Sequence, residues 1–134
     1  MSASPSAQIA LALQAQEGFA RVYDWWSLSP QEAAALTGLP VAEVLSRRVL
    51  AQETLPPNVH ERMSLLISIY NQLQRIHLKP VADLWMRQPN TEDAMFEGKT
   101  PLAFLLADGG PPRHMRRLHS YLVRNTPASC SSMI

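Results

Sequence analysis

Trp85-Met86-Arg87-Gln88-Pro89-Asn90, followed after five residues by Phe96-Glu97-Gly98-Lys99-Thr100-Pro101-Leu102, is the stretch whose punctuation decides the fold. A helix carrying Trp85 is predicted to stop at Pro89-Asn90, because proline lacks a backbone donor and restricts the residue before it. Gly98 supplies a turn, and Thr100-Pro101 then reads as the N-cap and first position of a new helix. Trp85, Pro89, Asn90, Gly98 and Pro101 together fix the angle between two helices. Nothing in the stretch is a catalytic set, and such punctuation suits a docking surface better than a reaction centre.

Working outward, every other segment also reads as helical. No run alternates β-branched residues, and no internal repeat is visible. A first helix is predicted from Ser4-Pro5 to about Trp26, with Leu11, Phe19, Val22 and Trp26 on one face and Ile9, Leu13 and Ala20 beside it. Ser29-Pro30-Gln31-Glu32 carries the spacing of a reciprocal capping box, and Gly38 a left-handed stop. Leu39-Pro40 opens another helix to about Val49. Ala51 to Asn58 is the expected linker, stiffened by Pro56-Pro57. Asn58 and Glu61 then cap a long helix, about Val59 to His77, with Met63, Leu66, Ile67, Tyr70 and Leu73 as its core face. Lys79-Pro80 starts the helix of Trp85. Asp108-Gly109-Gly110-Pro111-Pro112 separates the Thr100 helix from a last helix ending near Arg124. The expectation is an all-α chain: residues 1–55 form a helix-turn-helix-like subdomain, and residues 56–134 a small helical domain with a mobile tail from Asn125.

Composition narrows the class. The 134 residues are 46% hydrophobic and can bury one modest core. The apolar runs are short and no targeting pattern opens the sequence, so neither a membrane span nor a signal peptide is expected. The single cysteine, Cys130, fits a reducing cytoplasm. Net charge is only +1, but it is unevenly spread. Before residue 61, Glu17, Asp24, Glu32, Glu43 and Glu53 outnumber Arg21, Arg47 and Arg48. From Arg113 to Arg124 there are four arginines, two histidines and no acid. That end is expected to meet an anionic surface.

The segment Ala33 to Val49 has the spacing of a helix-turn-helix, with Ala34 at the crossing, Gly38 at the turn, and Leu39 and Val44 as core contacts. Ser46, Arg47 and Arg48 are its candidate DNA contacts. Its groove-facing positions would be Pro40, Val41 and Ala42, which lack the donors and acceptors that read base edges, and Glu43 opposes the two arginines. A packing subdomain or dimer interface stands beside the DNA reading.

In the last helix, Arg113, Arg116, Arg117, Ser120 and Arg124 recur at steps of three or four and share one face. Met115, Leu118, His119 and Leu122 share the other. The outer face carries one sign of charge, which is the signature of a basic arm offered to a partner. The histidines carry little: His114 and His119 do not have the i, i+4 spacing of a zinc helix, and His60 and His77 have no ligand neighbours in sequence. No nucleotide, zinc-protease or serine-hydrolase motif occurs. The expectation is no catalytic residue, no metal and no cofactor.

From Glu61 to Arg124 the chain resembles the toxin-binding domain of the Xre/MbcA/ParS-like antitoxins. The carriers are Glu61-Arg62-Met63-Ser64-Leu65-Leu66-Ile67, Ile69-Tyr70, Leu73, Trp85 to Asn90, Phe96 to Leu102, Gly109-Gly110, and Arg116-Arg117-Leu118-His119-Ser120-Tyr121-Leu122. The ordered series Trp…Pro-Asn…Gly-x-x-Pro-Leu is its specific part. Trp26, Leu28, Ser29, Ala35, Leu36 and Gly38 fit the helix-turn-helix that such antitoxins often carry in front. Two departures stand out: Thr91 to Met95 is more acidic than that pattern, and Val123-Arg124-Asn125 stands where it has an acid.

The resemblance implies a non-enzymatic antitoxin that binds and occludes a RES-domain toxin acting on NAD. It further implies dimerisation and, in many such proteins, repression of the operon. Arg113, Arg116, Arg117, Ser120, Tyr121, Arg124 and Ile134 match the region that covers the toxin's pocket. Two rivals remain from the residues themselves. One is a DNA-binding regulator whose C-terminal half dimerises, and the other is an adaptor or immunity protein for an unrelated partner.

Overall fold

The computed structural model describes residues 5–42, 56–77 and 79–126, and among these every regular element is helical. In order they are α1 (Pro5–Trp25), α2 (Pro30–Thr37), α3 (Pro57–Ile76), α4 (Lys79–Trp85), a 3-10 turn at Ala94–Phe96, α5 (Pro101–Leu106), a second 3-10 turn at Ala107–Gly109, and α6 (Pro112–Arg124). Helical backbone also resumes at residues 41–42. Ser4, Ser46, Arg47, Arg48, Cys130 and Ile134 lie outside the described residues. No helix among those described is long and apolar enough to cross a membrane.

Helix α3 is the spine. Val59, Met63, Leu66, Ile69, Tyr70 and Leu73 are buried along it, packing against α1 on one side and α6 on the other. Phe19, Val22 and Trp26 from the first helix and its end share a single hydrophobic core with Leu36, Met86, Phe96, Leu105, Met115, Leu118 and Leu122. The residues on either side of position 55 therefore pack together. Gly18 makes the close approach of α1 to α3 feasible: a Cβ there would lie 2.6 Å from Ile67 Cδ1. Ile67 is half-buried, meeting Gly18 at this crossing and bordering an open groove.

Local signals explain most helix ends. The Ser29 hydroxyl accepts from Glu32 N–H at 3.1 Å while the Glu32 carboxylate accepts from Ser29 N–H at 2.8 Å, and Gly38 ends α2 at φ +82°. Thr100 caps α5 by accepting from Ala103 N–H at 3.0 Å, ahead of Pro101. The start of α3 differs from expectation. It begins at Pro57 behind Pro56 with no side-chain cap, so Asn58 lies inside the first turn rather than capping it. Proline at the first position has no N–H to satisfy and already holds a helical φ. Leu11 and Leu13 also differ, remaining 50% and 39% exposed where one was expected on the core face and the other beside it. Leu11 instead borders a shallow groove with Gln14, Ala15, His60, Ser64 and Ile67.

Candidate partner-binding site

The opening motif builds a rigid bracket under α6. Two backbone bonds tie its ends together: Leu102 N–H donates to Met86 O at 3.0 Å, and Asn90 N–H to Lys99 O at 3.0 Å. The buried Asn90 side chain accepts from Glu92 N–H at 2.8 Å, and Asp93 accepts from Met95 N–H at 2.8 Å to start the 3-10 turn. Glu97 at φ +52° and Gly98 at φ +76° reverse the chain toward Thr100. Phe96 is thereby held at the hub of an aromatic cluster, edge-on to Trp85 (6.1 Å), Phe104 (5.7 Å) and Tyr121 (5.3 Å). Pro89 stays exposed and, with Trp85, Gln88, Asn90, Thr91 and Glu92, lines a shallow depression. Val81 and Leu84 on α4 are exposed nearby in sequence.

Tyr121, which the resemblance matches to the pocket-covering region, lies on the inward edge of α6. It is 7% exposed, stacked on Trp85 at 6.5 Å and met edge-on by Phe96, so it fixes α6 to the bracket. Arg113, Arg116, Arg117, Ser120 and Arg124 are all exposed, as the spacing predicts, while Met115, Leu118 and Leu122 face inward. His119 is half-buried beside them.

The arginines are not equivalent. Arg116 pairs with Glu61 of α3, and Arg113 sits 3.6 Å from Asp108, which His114 Nε2 also meets at 3.1 Å. Arg117 lies over the Phe104 ring with its guanidinium carbon 6.0 Å from the centroid. Neither Arg117 nor Arg124 makes an ion pair among the described residues. Ser120 lies between them on the same exposed side.

Two further arginines, to which spacing assigns no role, set the frame. Arg62 Nη1 donates to Ala35 O at 3.2 Å and to Gly110 O at 2.6 Å, joining the end of α2 to the turn that precedes α6. Gly110 allows this approach: at φ +70°, a Cβ there would fall 2.7 Å from Ala35 O. Arg87 donates to Trp26 O (2.9 Å), Ser27 O (2.7 Å) and Glu32 Oε1 (2.9 Å). Burial alone would raise the Glu32 pKa, but the Ser29 N–H and the Arg87 guanidinium outweigh it and hold the carboxyl below its usual range.

Among the described residues no group of three or more His, Cys, Asp or Glu side chains could hold a metal ion. The fold and the exposed face define a class: a small helical protein that presents one basic helix edge on a braced scaffold. By sequence the chain is 33% identical over 104 residues to the uncharacterized protein y4oB of Sinorhizobium fredii, an alignment spanning 77% of this chain and 78% of that protein. The chain belongs to the family of y4oB. No protein-family model matches it, and no solved structure does.

Proposed function

We propose that this protein is a non-enzymatic antitoxin that silences a RES-domain, NAD-directed toxin by covering its pocket. The observation that carries the reading is the outer face of α6. Four exposed arginines, Arg113, Arg116, Arg117 and Arg124, with Ser120 among them, stand on a helix whose other side is locked into the core by Met115, Leu118, Tyr121 and Leu122. A prebuilt helix loses little backbone entropy on docking, which favours tight occlusion. The resemblance over Glu61 to Arg124 supplies the toxin class, and the acid-free arginine run supplies the electrostatic attraction.

The test is to titrate the full chain into a RES-domain protein encoded by the same genome and follow NAD loss. Stoichiometric inhibition is expected. Undiminished NAD consumption with the two proteins in equal amounts would refute the reading. Deletion of residues 127–134 is expected to weaken inhibition while leaving the helical core folded. Repression of the operon through Ser46, Arg47 and Arg48, and dimerisation, are further parts of the proposal. A promoter mobility shift and sedimentation of the full chain check them separately.

A further inference from the structure

Four guanidinium groups share the α6 face, yet the structure divides them into two kinds. Arg116 is engaged by Glu61 and Arg113 by Asp108, so both already have a carboxylate of their own chain. Any partner competing for them must displace an acid that the chain already holds beside the guanidinium. Arg117 and Arg124 face no acid among the described residues, and both are exposed. They stand two helical turns apart, about 10 Å along the axis, with the Ser120 hydroxyl between them. Phe104 lies under the Arg117 guanidinium and restricts its rotamers before any partner arrives.

Resting on the reading of α6 as the docking face, we infer that Arg117 and Arg124, with Ser120 between them, form a two-point clamp. Its target is a partner protein that presents two carboxylates about 10 Å apart on one edge. Each guanidinium offers a planar fork that a carboxylate fits bidentately, and Ser120 adds a neutral donor for a group between the two. Nucleic acid is the poorer match. Its affinity is the sum of many neutralised phosphates, and only two guanidiniums are free here, flanked by the carboxylates of Glu61 and Asp108. Arg113 and Arg116 act in this scheme as struts that hold α6 to its neighbours.

The clamp is tested on the full chain with three probes followed by the arginine Nε–Hε resonances. The first is an alanine-rich helical peptide with two glutamates seven residues apart; the second carries the same two glutamates adjacent; the third is a short DNA duplex. The Arg117 and Arg124 resonances are expected to move together, with the spaced peptide bound about tenfold more tightly than the adjacent isomer. Arg117→Gln combined with Arg124→Gln removes that preference, whereas Arg75→Gln, a charge loss on exposed α3 surface, retains it. Equal binding of the two peptides, or tighter binding of the duplex, overturns the clamp. Spacing preference without inhibition of a RES-domain protein leaves the clamp standing and removes the toxin reading. Inhibition without spacing preference does the reverse.

Discussion

Arg62, where the end of α2 meets α3, and Arg87, at the turn between α1 and α2, direct their donors at carbonyls of their own chain, while on α6 Arg117 and Arg124 lie exposed. The same side chain serves two ends, and the surroundings decide which. Arg62 lies where a helix end and a glycine turn leave carbonyls in need of donors, and the Gly110 backbone comes close enough to share it. A guanidinium at the end of α2 also meets the negative pole of that helix. The outer face of α6 has no such carbonyls, since its backbone is satisfied within the helix. Only side-chain acids can occupy its arginines, and Glu61 and Asp108 reach just two of them.

This contrast is broken most severely at the inward side. Arg62→Met leaves Ala35 O and Gly110 O without their partner and is expected to cost about 2–3 kcal/mol in urea unfolding. Gly110→Ala should cost a similar amount, about 2 kcal/mol, because the position combines positive φ with backbone contact. Either variant unfolding at the native midpoint would mean that the clasp is ornamental. Arg87→Met is expected to cost less, about 1–2 kcal/mol, because its side chain is 40% exposed and water can replace part of what is lost.

Smaller still is an effect of pH. The Glu32 carboxyl is held below its ordinary value near 4.5 in the folded chain, so ionised Glu32 adds stability above that value. The contribution fades as pH falls from about 4.5 through the lower folded value. Glu32→Gln should therefore flatten the acid side of the stability profile in that window and change the slope little at neutral pH. At the outward side, Arg117→Gln and Arg124→Gln should move stability by no more than about 0.5 kcal/mol each. A larger loss would show that these two also serve the fold.

What could be read from residue order was local chemistry. Ser29 with Glu32, Gly38, and Thr100 with Pro101 lie within one turn of their partners, so spacing alone locates the helix ends. The alternation of charge and apolar side chains along residues 113–124 likewise foretold which way the arginines point. The clasp was illegible, because Arg62 meets carbonyls 27 and 48 positions away and nothing near it in the chain marks them. Gly18 was equally silent, since a glycine inside a helix acquires meaning only when Ile67 arrives across the crossing. The burial of Tyr121 was hidden for a related reason. Its position on α6 sits at the edge between the two faces, and only the bracket formed by Trp85 and Phe96 turns it inward.

The most direct measurement is growth of cells expressing a RES-domain toxin together with the full chain or its Arg117→Glu, Arg124→Glu form. The wild-type chain should restore growth, and the doubly reversed form should fail while keeping the wild-type urea midpoint. Rescue by both forms would contradict the role assigned to the outer face of α6, and rescue by neither would contradict the antitoxin reading itself.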